Sequence, residues 1–172
     1  MTETMKHFKL RTDLTREVGG KKLYRIEATK DIERFSVKAG DLGGYIEKED
    51  NLSGNAWVSG DALVYDDALV YGNAQVYGNA QVRGNAQVYA NAQVRGDEIE
   101  KENDLIDITS NVGSYNITIT PKHIKIGCQY HSKTAWFNFT ENEIVKMGGE
   151  KAVIWWKTWK PILISICDGL KQ

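Results

Sequence analysis

The sequence predicts a mainly β protein: a short parallel β-helix of about three coils, followed by a small α+β C-terminal domain. Three observations predict it. A six-residue phrase, Val-x-Gly-Asn/Asp-Ala-x, fills the middle of the chain, with aliphatic positions at Ile46, Leu52, Val58, Val64, Val70, Val76, Val82, Val88 and Val94. Four residues after each member from Leu52 to Val88 stands an alanine: Ala56, Ala62, Ala68, Ala74, Ala80, Ala86 and Ala92. Beyond Asp97 the phrase stops and two-residue alternation takes over, with helical stretches behind it. A fixed short period marks a solenoid, in which each repeat packs only on its neighbours.

The chain divides into an N-terminal segment and cap (residues 1–45), the β-helix (46–99) and the α+β domain (100–172). In the first part Leu23-Tyr24-Arg25-Ile26-Glu27-Ala28 reads as a strand, and Gly40-Asp41-Leu42-Gly43-Gly44 as a tight turn into the first coil. Three hexads make one triangular coil of eighteen residues, each side a short strand and each corner a turn. The aliphatic residue points inward, the alanine fills the corner, and Gly-Asn or Gly-Asp meets the corner's demand for positive φ. A pentapeptide solenoid has the wrong period, and the recurrent glycine excludes an amphipathic helix. Three coils have a modest core with two open ends, which the flanking parts are expected to cap.

Asp97, Glu98, Glu100, Glu102 and Asp104 form an acidic stretch that reads as a solvated connection. Behind it, Tyr115-Asn-Ile-Thr-Ile-Thr and His123-Ile-Lys-Ile-Gly-Cys alternate around Pro121-Lys122, which predicts a hairpin. Thr140-Glu-Asn-Glu143 is a capping box opening a helix through Met147, and Gly148-Gly149 stops it. A second helix carries Ala152, Ile154, Trp155, Trp156 and Trp159, and Pro161 is expected to kink or split it. The tryptophans read as core packed against the hairpin.

Net charge is −1 with a pI near 6.3, so no global field favours nucleic acid or an anionic membrane. Two cysteines, Cys128 and Cys167, are too few for a disulfide framework. The polar Met1–Arg16 segment lacks a signal-peptide core, and no apolar run approaches the ~18 residues of a membrane span. A cytoplasmic protein without membrane contact is expected.

Residues flanking each aliphatic position point outward and stack into three faces. The first carries Tyr45, Glu47, Leu63, Tyr65, Gln81 and Arg83; the second Asn51, Ser53, Leu69, Tyr71, Gln87 and Tyr89; the third Trp57, Ser59, Gln75, Tyr77, Gln93 and Arg95. These aromatics read first as β-formers and a homotrimer interface. A sharper reading makes Tyr65, Tyr71, Tyr77 and Tyr89 stacking platforms for a base at a subunit seam, with Arg83 and Arg95 pairing phosphate. Catalysis has less support, because His7, His123 and His131 all lie outside the coils. Cys128-Gln-Tyr-His131 is a weak metal spacing and reads better as a buried strand cysteine and a turn histidine. No catalytic residue, metal or cofactor is assigned.

Hexads of this kind resemble the hexapeptide-repeat family, which implies a left-handed parallel β-helix despite the usual right-handed rule for parallel crossovers. Leu23-Tyr24-Arg25-Ile26-x-Ala28, Val37 to Glu47 and Asn51-Leu52-Ser53 resemble the opening of small hexapeptide-repeat proteins of bacteriophages and prophages. Ile124-x-Ile126-Gly127-Cys128-x-x-His131, Trp136, the Glu141–Met147 turn and Trp155-Trp156 are similar to a module of small phage proteins. The resemblance implies a non-enzymatic anti-defence protein that sequesters a nucleotide second messenger or blocks a host defence protein. It brings no catalytic residue set. An acyltransferase-like enzyme and a structural or assembly protein are the alternatives.

Overall fold

The computed structural model describes residues 6–108 and 115–170, so the first five positions of the polar Met1–Arg16 segment lie outside the described residues. The chain enters through a hairpin of β1 (Phe8–Val18) and β2 (Lys21–Ala28), paired antiparallel. Gly19 and Gly20, at φ 57° and 79°, form the two-residue turn that such a hairpin requires. The expected strand over Leu23–Ala28 is β2, whereas β1 is additional to the sequence reading.

β3 (Leu42–Ile46) pairs antiparallel with β2 and parallel with the first coil strand on its face. The tight turn expected over Gly40–Gly44 is thus corrected, since Gly43 and Gly44 are strand residues. A Cβ at Gly43 would lie 2.5 Å from the Val58 carbonyl oxygen, and one at Gly44 2.7 Å from that of Ala62. They are glycine because the β3 backbone lies directly against the first coil.

The coils comprise β4 (Trp57–Val58), β5 (Leu63–Val64), β6 (Leu69–Val70), β7 (Gln75–Tyr77), β8 (Gln81–Val82), β9 (Gln87–Val88), β10 (Gln93–Arg95) and β11 (Glu98–Ile99). Pairing between coils is parallel, and Tyr45 lies beside Leu63, Leu63 beside Gln81, Trp57 beside Gln75 and Leu69 beside Gln87. Each step is eighteen residues, so the three faces stack in the predicted register. Every aliphatic position from Ile46 to Val94 is at most 1% exposed, and the seven alanines are fully buried. Burying each valine contributes roughly 1.5–3 kcal/mol. Most corners place a glycine at positive φ, but Asp66 (φ 62°) and Ala90 (φ 56°) occupy the same corner position.

The last step is one residue short: Gln81 pairs with Glu98. Ile99 therefore takes the inward aliphatic place, and Asp97 takes the corner place that alanine fills earlier. The Asp97 carbonyl accepts the Gln81 N–H (2.8 Å) as the Ala80 carbonyl accepts that of Leu63 (2.9 Å). The acidic stretch is accordingly not a purely solvated connection, because Asp97 is 1% and Leu105 2% exposed. Phe8, Ile26, Ile32 and Val37 from the entry segment, and Ile99 and Leu105 at the exit, join the solenoid core and close its ends.

The C-terminal module is a four-stranded antiparallel meander of β12 (Ile106–Ile108), β13 (Ile117–Ile119), β14 (His123–Ile126) and β15 (Gln129–Ser132). The expected hairpin is β13–β14. Cys128 and His131 exchange their expected settings: Cys128 is exposed in the β14–β15 turn, and His131 stands in β15. Gly127, at φ 55°, makes that turn and ends the alternating pattern early.

Two helices complete the module, α1 (Lys133–Asn138) and α2 (Glu141–Gly169). The Thr140 hydroxyl accepts the Glu143 N–H and the Glu143 carboxylate accepts the Thr140 N–H, as a capping box does. Gly148 and Gly149 leave helical geometry and divide α2 at the expected place. Pro161, by contrast, does not split the second half, which keeps helical backbone angles throughout. Its ring sits on the exposed face, where water can serve the carbonyl it frees. Trp136 and Trp156 pack 5.2 Å apart in the module core, while Trp155 and Trp159 stack at its half-buried edge. Among the described residues no helix is long and apolar enough to cross a membrane.

Candidate functional site

The six outward residues proposed as a ligand set fall on three faces and meet only in pairs. On the first face Tyr65 is 9% exposed, buried against Leu23 and Leu63 beneath the entry hairpin, and burial raises its phenol pKa. Arg83 on that face donates to Glu100 at 3.1 Å, so its charge is already engaged. On the third face the Arg95 guanidinium lies 6.0 Å from the Tyr77 ring centroid, and burial raises the Tyr77 pKa. The Tyr130 hydroxyl of the module donates to the Arg95 backbone carbonyl, which covers that end of the face. Trp57, expected outside, is 1% exposed beside His7.

The second face keeps its pair accessible. The rings of Tyr71 and Tyr89 stack at 5.8 Å with planes 22° apart, and the Tyr71 hydroxyl donates to Gln87 Oε1 at 3.0 Å. This pair lines a groove of about 850 Å³ between the solenoid and the module. Asn85 and Gln87 extend the solenoid wall. Lys101, Asn103 and Asp104 come from the connecting segment, with Leu105, Ile106 and Leu170 as the apolar side. The backbone N–H groups of Glu100 and Lys101 both donate to Asp104 Oδ2 (2.9 Å each), which folds the connection into a fixed turn. Lys101 makes no ion pair among the described residues. Among the described residues the groove therefore offers a flat aromatic platform, neutral amides and one cation beside a single carboxylate.

A buried polar joint fixes the module against the solenoid, and hence fixes the groove. Asp97 Oδ2 accepts from Thr120 Oγ1 (2.6 Å) and His123 Nδ1 (2.8 Å), and the single Tyr130 hydroxyl proton is shared between it (3.0 Å) and the Arg95 carbonyl. Burial, and then the adjacent carboxylate, push the Tyr130 phenol well above its usual range. The His123 ring also stacks on Tyr130 at 4.8 Å. At the opposite end His7 Nε2 donates to the Ala56 carbonyl at 2.8 Å, and burial holds its imidazole pKa below the usual value. Two of the three histidines outside the coils thus bond to corner residues of the coils.

His131 packs edge-on against Trp136 and Phe139, and among the described residues no three metal-type side chains converge. Asn85 belongs to the hexad phrase as a corner residue, and Lys101, Asn103 and Leu170 carry no motif, so none of the four stands out in the sequence as a ligand residue. The one signal was Leu105-Ile106, an apolar pair ending a stretch otherwise read as solvent-facing. No protein-family model matches this sequence, and no curated protein matches it either.

Proposed function

We propose that this chain is a non-enzymatic binding protein that holds a nucleotide in the groove between the second solenoid face and the C-terminal module. The observation that carries the reading is the stacked Tyr71–Tyr89 pair beside Lys101. A base laid on the pair extends the stack, which is worth ~1–3 kcal/mol per base. The amides of Asn85 and Asn103 present donors and acceptors to its edge, and Lys101 attracts a phosphate.

The resemblance to left-handed hexapeptide-repeat proteins of phages gives the reading its setting. There the protein acts as a homo-oligomer, a trimer favoured, in the host cytoplasm, and sequesters a nucleotide immune signal. Calorimetry against cyclic and linear nucleotide messengers tests it. Binding should weaken at least about tenfold in Tyr89→Ala and in Lys101→Ala, as loss of one stacked base or one charge predicts. Arg83→Gln should leave binding unchanged. Absence of heat with every nucleotide removes the reading and leaves a host defence protein as the target. Sedimentation as a monomer removes the oligomer.

A further inference from the structure

A second cleft, of about 300 Å³, opens where three parts of the chain meet. Arg34 comes from the entry segment, Asn91 and Gln93 from the last full coil, and Asn116, Thr118 and Lys125 from the module. Arg34 Nη2 donates to Asn91 Oδ1 at 2.8 Å, which ties the guanidinium to the solenoid corner. Among the described residues no carboxylate lines the cleft. Both of its charged residues are cations.

Lys125 is the informative member. It is half-buried, and its ammonium donates to the Gly127 carbonyl at 2.5 Å. It forms no ion pair within 4.0 Å among the described residues, and burial lowers its pKa despite the more distant Asp107 and Cys128. Asp107, Thr118 and Lys125 stand in one row across β12, β13 and β14. Thr118 Oγ1 donates to Asp107 at 3.2 Å, so the hydroxyl stands between that carboxylate and the lysine. A partly desolvated cation held by a neutral carbonyl lacks the counter-charge that such groups normally have.

We propose that this cleft binds a phosphate group, either the free ion or the terminal phosphate of an ester, with Arg34 and Lys125 as its charged ligands. Arg34 presents a fork suited to two phosphate oxygens, and Lys125 a point charge. Asn91, Gln93 and Asn116 supply neutral amide donors around them. The site shares no lining residue with the tyrosine groove, so it stands without that reading.

The test is calorimetry on the full chain in buffer of matched ionic strength, with inorganic phosphate, adenosine 5′-monophosphate and adenosine as separate ligands. Phosphate should bind, and Arg34→Gln and Lys125→Gln should each weaken it at least about tenfold, the loss of one charge-assisted contact. Arg34 is exposed, so its variant keeps the test valid if Lys125→Gln does not fold. In the Tyr89→Ala background, which disables the tyrosine groove, tighter binding of the monophosphate assigns an ester and tighter binding of phosphate assigns the free ion; both support the site. Phosphate heat that is absent, or that persists unchanged in Arg34→Gln, overturns it. Tyr89→Ala should leave phosphate binding intact, so failure of the groove reading is seen separately.

Discussion

The Asp97 carboxylate and the His123 imidazole meet at 2.8 Å across the boundary between solenoid and module, with the Asp97 side chain wholly shielded from water. Thr120 and Tyr130 donate to the same oxygen, so one atom gathers the polar contacts of the joint. Replacing Asp97 by alanine removes an acceptor shared by Thr120, His123 and Tyr130, although Thr120 keeps the His123 carbonyl and Tyr130 the Arg95 carbonyl. Losing an acceptor at a buried site costs about 1–3 kcal/mol. Urea denaturation should show this loss in Asp97→Ala, and a change below about 1 kcal/mol would mean the joint carries no load.

Ala90 is held at φ 56° in a corner position that glycine fills in most other coils. An L-residue with a Cβ is strained there, while glycine is not but loses more entropy on folding. The strain is the larger effect, so Ala90→Gly should raise stability by about 0.5–1 kcal/mol. Thermal melts read it directly. Asp66 is the contrasting case: its carboxylate pairs with Lys21 (2.6 Å) and accepts the Gly84 N–H (3.1 Å), so Asp66→Gly should destabilise.

His7 gives the fold a pH dependence whose sign is fixed. Burial lowers its folded-state pKa from the usual 6.5, so the unfolded chain takes up the proton more readily. Its contribution is complete above that unfolded value and is lost as pH falls toward and through the folded pKa. His7→Gln retains an N–H donor for the Ala56 carbonyl but cannot titrate. The wild-type minus His7→Gln stability difference should therefore decline from pH 7.5 to about 5.5, across the unperturbed histidine range. A flat difference refutes the assignment.

At Gly43 the limit is space rather than backbone angle. A methyl there would sit 2.5 Å from both the Val58 carbonyl and the Ile26 side chain. Overpacking of this kind costs about 1–3 kcal/mol, and backbone on one side makes the upper end the expected result for Gly43→Ala. Chemical denaturation measures it, and a silent substitution would show that β3 can lift off the first coil.

The coils were legible because each hexad meets the same environment: Val58, Val76 and Val94 occupy equivalent places, and one pattern reports all of them. The capping box at Thr140 and Glu143 was legible for a similar reason, being a local bond between residues three apart. β1 was not, since its strand shows only in the Gly19-Gly20 turn that closes the hairpin. Nor was the buried state of Asp97, because one missing residue after Gly96 moves it from a solvent-facing place to the alanine corner. Such a slip leaves no trace until the module that covers it is placed. For the site, Tyr71 and Tyr89 were named as two of four candidate platforms on the coil faces, and their stacking on each other was not foreseen. The partners chosen for them, Arg83 and Arg95, belong to other faces, and Lys101 enters from a segment with no repeat to mark it.

The eighteen-residue step also makes the solenoid a spacer whose length is set in whole coils. Each coil advances the chain by roughly 4.8 Å, the distance between paired strands. Arg34 reaches down the stack to Asn91, and there it shares a cleft with Lys125 of the module. A fourth coil would preserve every corner and every inward contact, yet would carry the two cations apart by one strand spacing. The number of coils therefore sets how far apart Arg34 and Lys125 stand across the cleft they share.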